Sequence, residues 1–97
     1  MINIENAKLI DKCLAKVISD LEFELKGKLS TSEYYKNSLI EDSNETNPSD
    51  KYSSEDIDNI KSIIVDCDNR SKEISEEIER VCNARKEFRN EFELGSL

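Results

Sequence analysis

The chain has no histidine, no tryptophan, two glycines and one proline in 97 residues. Without histidine it lacks the commonest general base and a principal zinc ligand. The Glu-x-x-His motifs of di-iron bundles cannot be written either. The three cysteines, Cys13, Cys67 and Cys82, are odd in number, far apart and form no Cys-x-x-Cys pair. Neither a disulfide framework nor a zinc site is expected from them. As small hydrophobes on apolar helix stripes, they fit a reducing, cytoplasmic setting. The longest apolar runs are three residues, such as Ile63-Ile64-Val65, which is far short of a membrane span. Met1 to Ile10 has no basic region followed by an apolar core, so no secretory signal is read there. No glycine-rich phosphate loop occurs, and no nucleophile is placed beside a base. These absences predict no enzyme, no catalytic residue, no cofactor and no metal.

Charge is abundant: 22 acids against 14 bases, a net −8. It is unevenly spread. Residues 1–29 hold five acids and five bases, residues 30–53 five acids and two lysines, and residues 54–97 twelve acids and seven bases. This balance disfavours direct contact with nucleic-acid phosphates or an anionic membrane surface. High charge, low apolar content and little glycine or proline point to long solvated helices. So small a domain is marginal alone, and oligomerisation is a common remedy.

The dominant pattern lies between Ile57 and Phe92. Alternating steps of three and four connect Ile57, Ile60, Ile64, Cys67, Ser71, Ile74, Ile78, Val81, Arg85, Phe88 and Phe92, and nine of these eleven are apolar. A repeat of that period is the seam of a coiled coil. Ser53 as N-cap and Asp56 at the third helical position mark the start of this helix, with Tyr52 and Ile57 as a hydrophobic staple. Gly95 is the expected stop. The helix is placed at 54–94. Its acids concentrate early and its bases late, as the helix dipole favours.

A first helix is placed at 3–26. Ala7, Ile10, Leu14, Val17 and Leu21 step by three and four, and Cys13, Ile18 and Leu25 widen the stripe. A wide stripe suits a helix with more than one neighbour. Asp11 falls among the charges of the opposite face. Gly27 reads as a cap, and Ser30 with Glu33 as a capping box opening a short helix at 31–41. Residues 42–52 read as a flexible linker, since Glu41 to Lys51 contains no apolar residue.

The expected fold is all-α: a helical hairpin with a long coiled-coil second helix, completed by oligomerisation or by a partner. With the first helix ending at 26, the second is longer by several turns. Ile78, Val81, Arg85, Phe88 and Phe92 then form a stripe for a partner, either the 31–41 segment folding back or a second chain. Arg85, polar on an apolar seam, requires either an acceptor or a path to water along its stem. The function implied is non-enzymatic protein binding by a small scaffold or adaptor subunit, as a homo-oligomer or in a heteromeric helical complex. Two other functions fit the same features: an acidic inhibitor of immunity or anti-defence type that occludes a basic surface, and a helical secretion chaperone.

Overall fold

A computed structural model of the chain describes residues 2–94. It is an all-α helical hairpin: α1 (Ile4–Asn44), a 3-10 turn (Pro48–Asp50) and α2 (Ser54–Glu91), with no strand among the described residues. Two compact units are present. The first joins Met1–Glu24 to Glu73–Leu97, and the second is Leu25–Lys72. Within each, a segment of α1 lies antiparallel to a segment of α2. In the first unit, Asp11 meets Arg85 and Arg89. In the second, Ser32 meets Asp68, and Asp42 meets Tyr52.

On α2 the expected seam is the inward face. Cys67, Ser71 and Ile74 are buried, the other eight positions are half-buried, and none of the eleven is exposed. On α1 the inward positions also alternate by three and four: Ala7, Asp11, Leu14, Ile18, Leu21, Leu25, Lys28, Ser32, Tyr35, Leu39 and Asp42 are all buried or half-buried. This stripe is rotated from the expected one. Asp11 and Ile18 point inward, whereas Ile10 and Val17 stay exposed at 36% and 43%. A two-helix layer buries only one narrow strip per helix, so few side chains disappear completely. Ala7 and Ile74 are the apolar residues with no exposed surface.

The expected break between residues 26 and 31 does not occur, and α1 runs through it for 41 residues. Gly27 is an interior helix residue, and its carbonyl accepts a hydrogen bond from the Thr31 hydroxyl at 2.9 Å. The local cost of a mid-helix glycine is about 1 kcal/mol relative to alanine. Packing outweighs it, because beyond Gly27 the helix buries Ser32 and half-buries Tyr35 and Leu39. Burial of one large apolar side chain contributes roughly 1.5–3 kcal/mol. Ser30, expected to cap a new helix, lies in mid-helix on the exposed side.

The connection between the helices is shorter and more organised than the expected 42–52 linker. Asp42 to Asn44 are still helical. Glu45 Oε1 accepts from the backbone N–H groups of Thr46 and Asn47, both at 2.9 Å. Asn47 Oδ1 accepts from the Ser49 N–H at 3.1 Å and caps the 3-10 turn. Asp42 Oδ1 accepts from the Tyr52 N–H at 2.7 Å, tying the two sides of the loop together. Polar residues therefore build this loop by local side chain-to-backbone bonds, with no apolar anchor.

The helix ends follow ordinary capping chemistry. Asn3 Oδ1 accepts from the Asn6 N–H at 2.8 Å at the start of α1. Ser53 Oγ accepts from the Asp56 N–H at 3.1 Å at the start of α2, as the sequence predicts. α2 ends at Glu91, three residues before the expected end. Glu93 adopts the left-handed conformation with φ 53°. The Leu94 N–H donates to the Arg89 carbonyl at 2.9 Å and the Glu93 N–H to the Asn90 carbonyl at 3.4 Å. That is a Schellman closure with a glutamate where glycine is usual. Gly95, the expected stop, lies outside the described residues.

Two glycine exchanges should therefore both stabilise the protein. A Cβ built on Gly27 meets nothing within 4 Å, so Gly27→Ala should add about 1 kcal/mol. Glu93→Gly should relieve a left-handed cost of about 1 kcal/mol. Each should raise the melting temperature by several degrees. A Gly27→Ala protein that melts no higher than wild type would show that the helix does break there.

Candidate functional site

The first unit offers two candidate surfaces: the seam around Arg85 and the outer face of α1. At the seam, Asp11 projects from α1 into a fork of two α2 guanidinium groups. Arg85 donates through Nε to Asp11 Oδ1 at 2.9 Å and through Nη2 to Oδ2 at 3.3 Å. Arg89 Nη1 donates to Asp11 Oδ2 at 2.5 Å, while its Nη2 holds the Leu94 carbonyl at 2.5 Å. The Asp11 side chain is only 11% exposed. The hydrogen bond from Arg85 holds the Asp11 carboxyl below its ordinary range; burial opposes this, and the charges of Arg85 and Arg89 reinforce it. The same bond raises the Arg85 guanidinium above its own ordinary value. Bidentate pairing of this kind fixes orientation as well as charge.

The five residues expected at a partner surface are all half-buried in this unit. Arg85 has its acceptor within the chain. The Phe88 and Phe92 rings pack against each other with centroids 4.7 Å apart. Ile78 and Val81 lie on the same inward stripe. The length difference that left this stretch without a helix is absent, because α1 has 41 residues and α2 has 38. The 31–41 segment belongs to the second unit. The first unit takes its neighbouring helix from residues up to Glu24 of α1.

Elsewhere the polar seam positions are structural. In the second unit, Ser32 Oγ donates to Asp68 Oδ1 at 2.6 Å and Lys36 Nζ lies 3.1 Å from Asp68 Oδ2. The Ser32 hydroxyl first, and Lys36 second, hold the Asp68 carboxyl below its ordinary range. Asp68, itself exposed, is thus an interhelical acceptor. The Ser71 hydroxyl is buried without a partner, a cost of about 1–3 kcal/mol that close packing must offset. A hollow beside the loop is lined by Glu41, Asp42, Glu45 and Asp50. Asp42 and Glu45 there serve backbone N–H groups. Among the described residues, no group of three or more cysteines and carboxylates is placed to hold a metal ion. An open groove of about 310 Å³ is lined by Ile18, Cys82, Asn83, Arg85 and Lys86, with its arginine already engaged.

The outer face of α1 is different. Ile10, Cys13 and Val17 step by three and four along it, and Leu9 flanks them. All four are exposed, Leu9 at 60%. Ile10, Cys13 and Val17 are the outward edge of the wide stripe read in the sequence, whose inward edge is Ala7, Leu14, Ile18 and Leu21; Leu9 lies beyond that stripe. One neighbouring helix covers one edge only. The exposed apolar residues of the second unit, among them Leu29, Tyr34, Ile40 and Val65, are scattered singly, which is ordinary for a protein surface.

Compared with protein-family models, curated proteins and solved structures, the chain matches none. Among the described residues, no helix is long and apolar enough to cross a membrane.

Replacing Asp11 by Asn should lower stability at neutral pH by roughly 1.5–3 kcal/mol, the range for hydrogen bonds to charged groups. The folded carboxyl titrates below its unfolded value of about 3.9. Its contribution is therefore complete above that value and is lost as pH falls through the lower folded value. The gap in melting temperature between wild type and Asp11→Asn should close in acid. A gap of constant size from pH 7 down to strong acid would show that the ion pair contributes nothing.

Proposed function

We propose that the protein is a non-enzymatic helix–helix interaction module, a small scaffold or adaptor subunit. One observation supports this reading above the others: the Leu9, Ile10, Cys13 and Val17 face lies outside a hairpin whose seam is already satisfied by its own chain. The partner surface proposed here is this outer face of α1. The Ile78–Phe92 stripe serves instead to hold the hairpin together. An amphipathic helix laid along α1 would add its apolar face to these residues and so complete the wide stripe.

The charges agree with a contact of this kind. Lys16 and Asp20, beside the face, already form an i,i+4 pair with Nζ 3.2 Å from Oδ1. Binding by apolar contact should depend little on salt, whereas an inhibitor acting through exposed acids should weaken steeply as salt rises.

The test is a double substitution on the exposed face, Ile10→Glu with Val17→Glu. Affinity purification from the native cell at moderate and high salt should recover a protein with wild type that is lost with the double variant. Helicity and melting of the hairpin should be unchanged, since neither residue lies on the seam. The same proteins recovered with both forms would refute the reading, and so would recovery abolished by salt alone.

A further inference from the structure

We propose that the groove beside Arg85, lined from α1 by Ile18 and from α2 by Cys82, Asn83, Arg85 and Lys86, binds a small organic carboxylate. The site is separate from the outer face of α1. Three observations point to this ligand.

The first is a surplus of donors. Arg85 is engaged along one edge only, where Nε and Nη2 meet Asp11 at 2.9 and 3.3 Å. A guanidinium carries five N–H donors in a fixed plane. Among the described residues, Nη1 has no acceptor. Arg89 draws on the same carboxylate, and its Nε is buried without a partner. Lys86 is exposed and makes no ion pair among the described residues. Two arginines thus share one carboxylate, with an unpaired lysine next in sequence to one of them. None of the residues lining the groove is acidic. A carboxylate entering it supplies the missing acceptor to Arg85 and a counter-charge to Lys86.

The second is the chemistry of the walls. The groove holds about 310 Å³, the low end of the range for small-molecule sites. Ile18 and Cys82 give it apolar sides, and Asn83 adds one amide. The matching ligand has an anionic head on a short apolar body.

The third is the charge around the groove. The first unit carries twelve acids and seven bases. A polyanion such as nucleic acid sets many charges against that field. A single carboxylate sets one, and it meets the cations at contact distance, well inside the Debye length of about 8–10 Å. The surroundings therefore select a small anion over a large one.

The experiment uses the full chain at neutral pH and constant ionic strength, with butyrate, acetate and inorganic phosphate as probes. Butyrate should give saturable NMR shifts at Ile18, Cys82, Asn83 and Lys86. It should bind several-fold tighter than acetate through its longer chain, and tighter than phosphate. Lys86→Gln, an exposed change off the seam, should weaken butyrate about tenfold with helicity and melting retained. Lys61→Gln, the same charge change in the second unit, should leave binding unaltered.

A covalent readout stands beside this one. Iodoacetate is a small carboxylate that alkylates thiolates. The Cys82 sulfur attacks its methylene carbon, the C–S bond forms as the C–I bond breaks, iodide leaves and the thiol proton passes to solvent. Iodoacetamide reacts in the same way without the charge. The iodoacetate-to-iodoacetamide rate ratio at Cys82 should be several-fold higher in the folded chain than in urea, and butyrate or Lys86→Gln should abolish the gain. No saturable shift with butyrate, or shifts centred away from the groove, would overturn the proposal. So would equal affinity for acetate and butyrate, binding untouched by Lys86→Gln, or a rate ratio at Cys82 that is the same folded and unfolded.

Discussion

A hairpin of two helices has one interface, and every other feature follows from how narrow it is. Each helix offers the other a strip of residues three and four apart, with no third layer behind it. Few side chains can therefore vanish from solvent, and among the described residues Ile74 is the one large side chain fully buried. Apolar burial alone provides little specificity along such a strip, because each layer resembles the next. Asp11 opposite Arg85 and Arg89 in the first unit, and Ser32 and Lys36 opposite Asp68 in the second, make layers that cannot be exchanged for their neighbours. A slip of one heptad would leave the buried Asp11 carboxylate without a partner, which costs far more than the loss of one apolar contact.

Arg89 links this register to the end of the chain's second helix. One side of its guanidinium binds Asp11, and the other holds the Leu94 carbonyl after the left-handed Glu93. The helix closure and the interhelical ion pair thus share one side chain. The glutamate at the left-handed position is tolerable because the closure is held by two backbone bonds and by this side chain together.

The second helix was legible residue by residue. All eleven positions of the Ile57–Phe92 alternation face inward, and Ser53 caps the helix as read. The first helix was not, for two physical reasons. Its inward strip includes Asp11, Lys28, Ser32 and Asp42, so a count of apolar residues misses four of its eleven positions. The count locked instead onto Ile10 and Val17, one notch round the helix, and left Asp11 outside. The break at Gly27 followed from local propensity, and a run of Gly, Ser and Thr does favour a turn in isolation. Propensity is worth tenths of a kcal/mol per residue, and packing along the seam overrides it. A signal for the true phase did exist. Arg85 on the α2 seam needed an acceptor, and Asp11 was the acid of α1 that restores an unbroken 4-3 alternation from Ala7 to Asp42.

The same mismatch between apolar count and inward strip bears on function. Had Ile10 and Val17 been polar, α1 would be a plain amphipathic helix satisfied by α2. Had Ile10 and Asp11 exchanged places, an aliphatic side chain would lie on the inward strip and a carboxylate in water. The actual arrangement spends a buried position on a carboxylate and places aliphatic side chains in water on the adjacent face. Neither choice favours the isolated hairpin: buried ion pairs are seldom better than well-packed apolar residues, and exposed aliphatics in register along a helix gain nothing from solvent. On the proposed reading, together they separate two tasks on one helix. The polar seam sets which way the hairpin pairs, and the apolar outer face remains free of that task. A helix under only the first demand would carry its apolar residues inward.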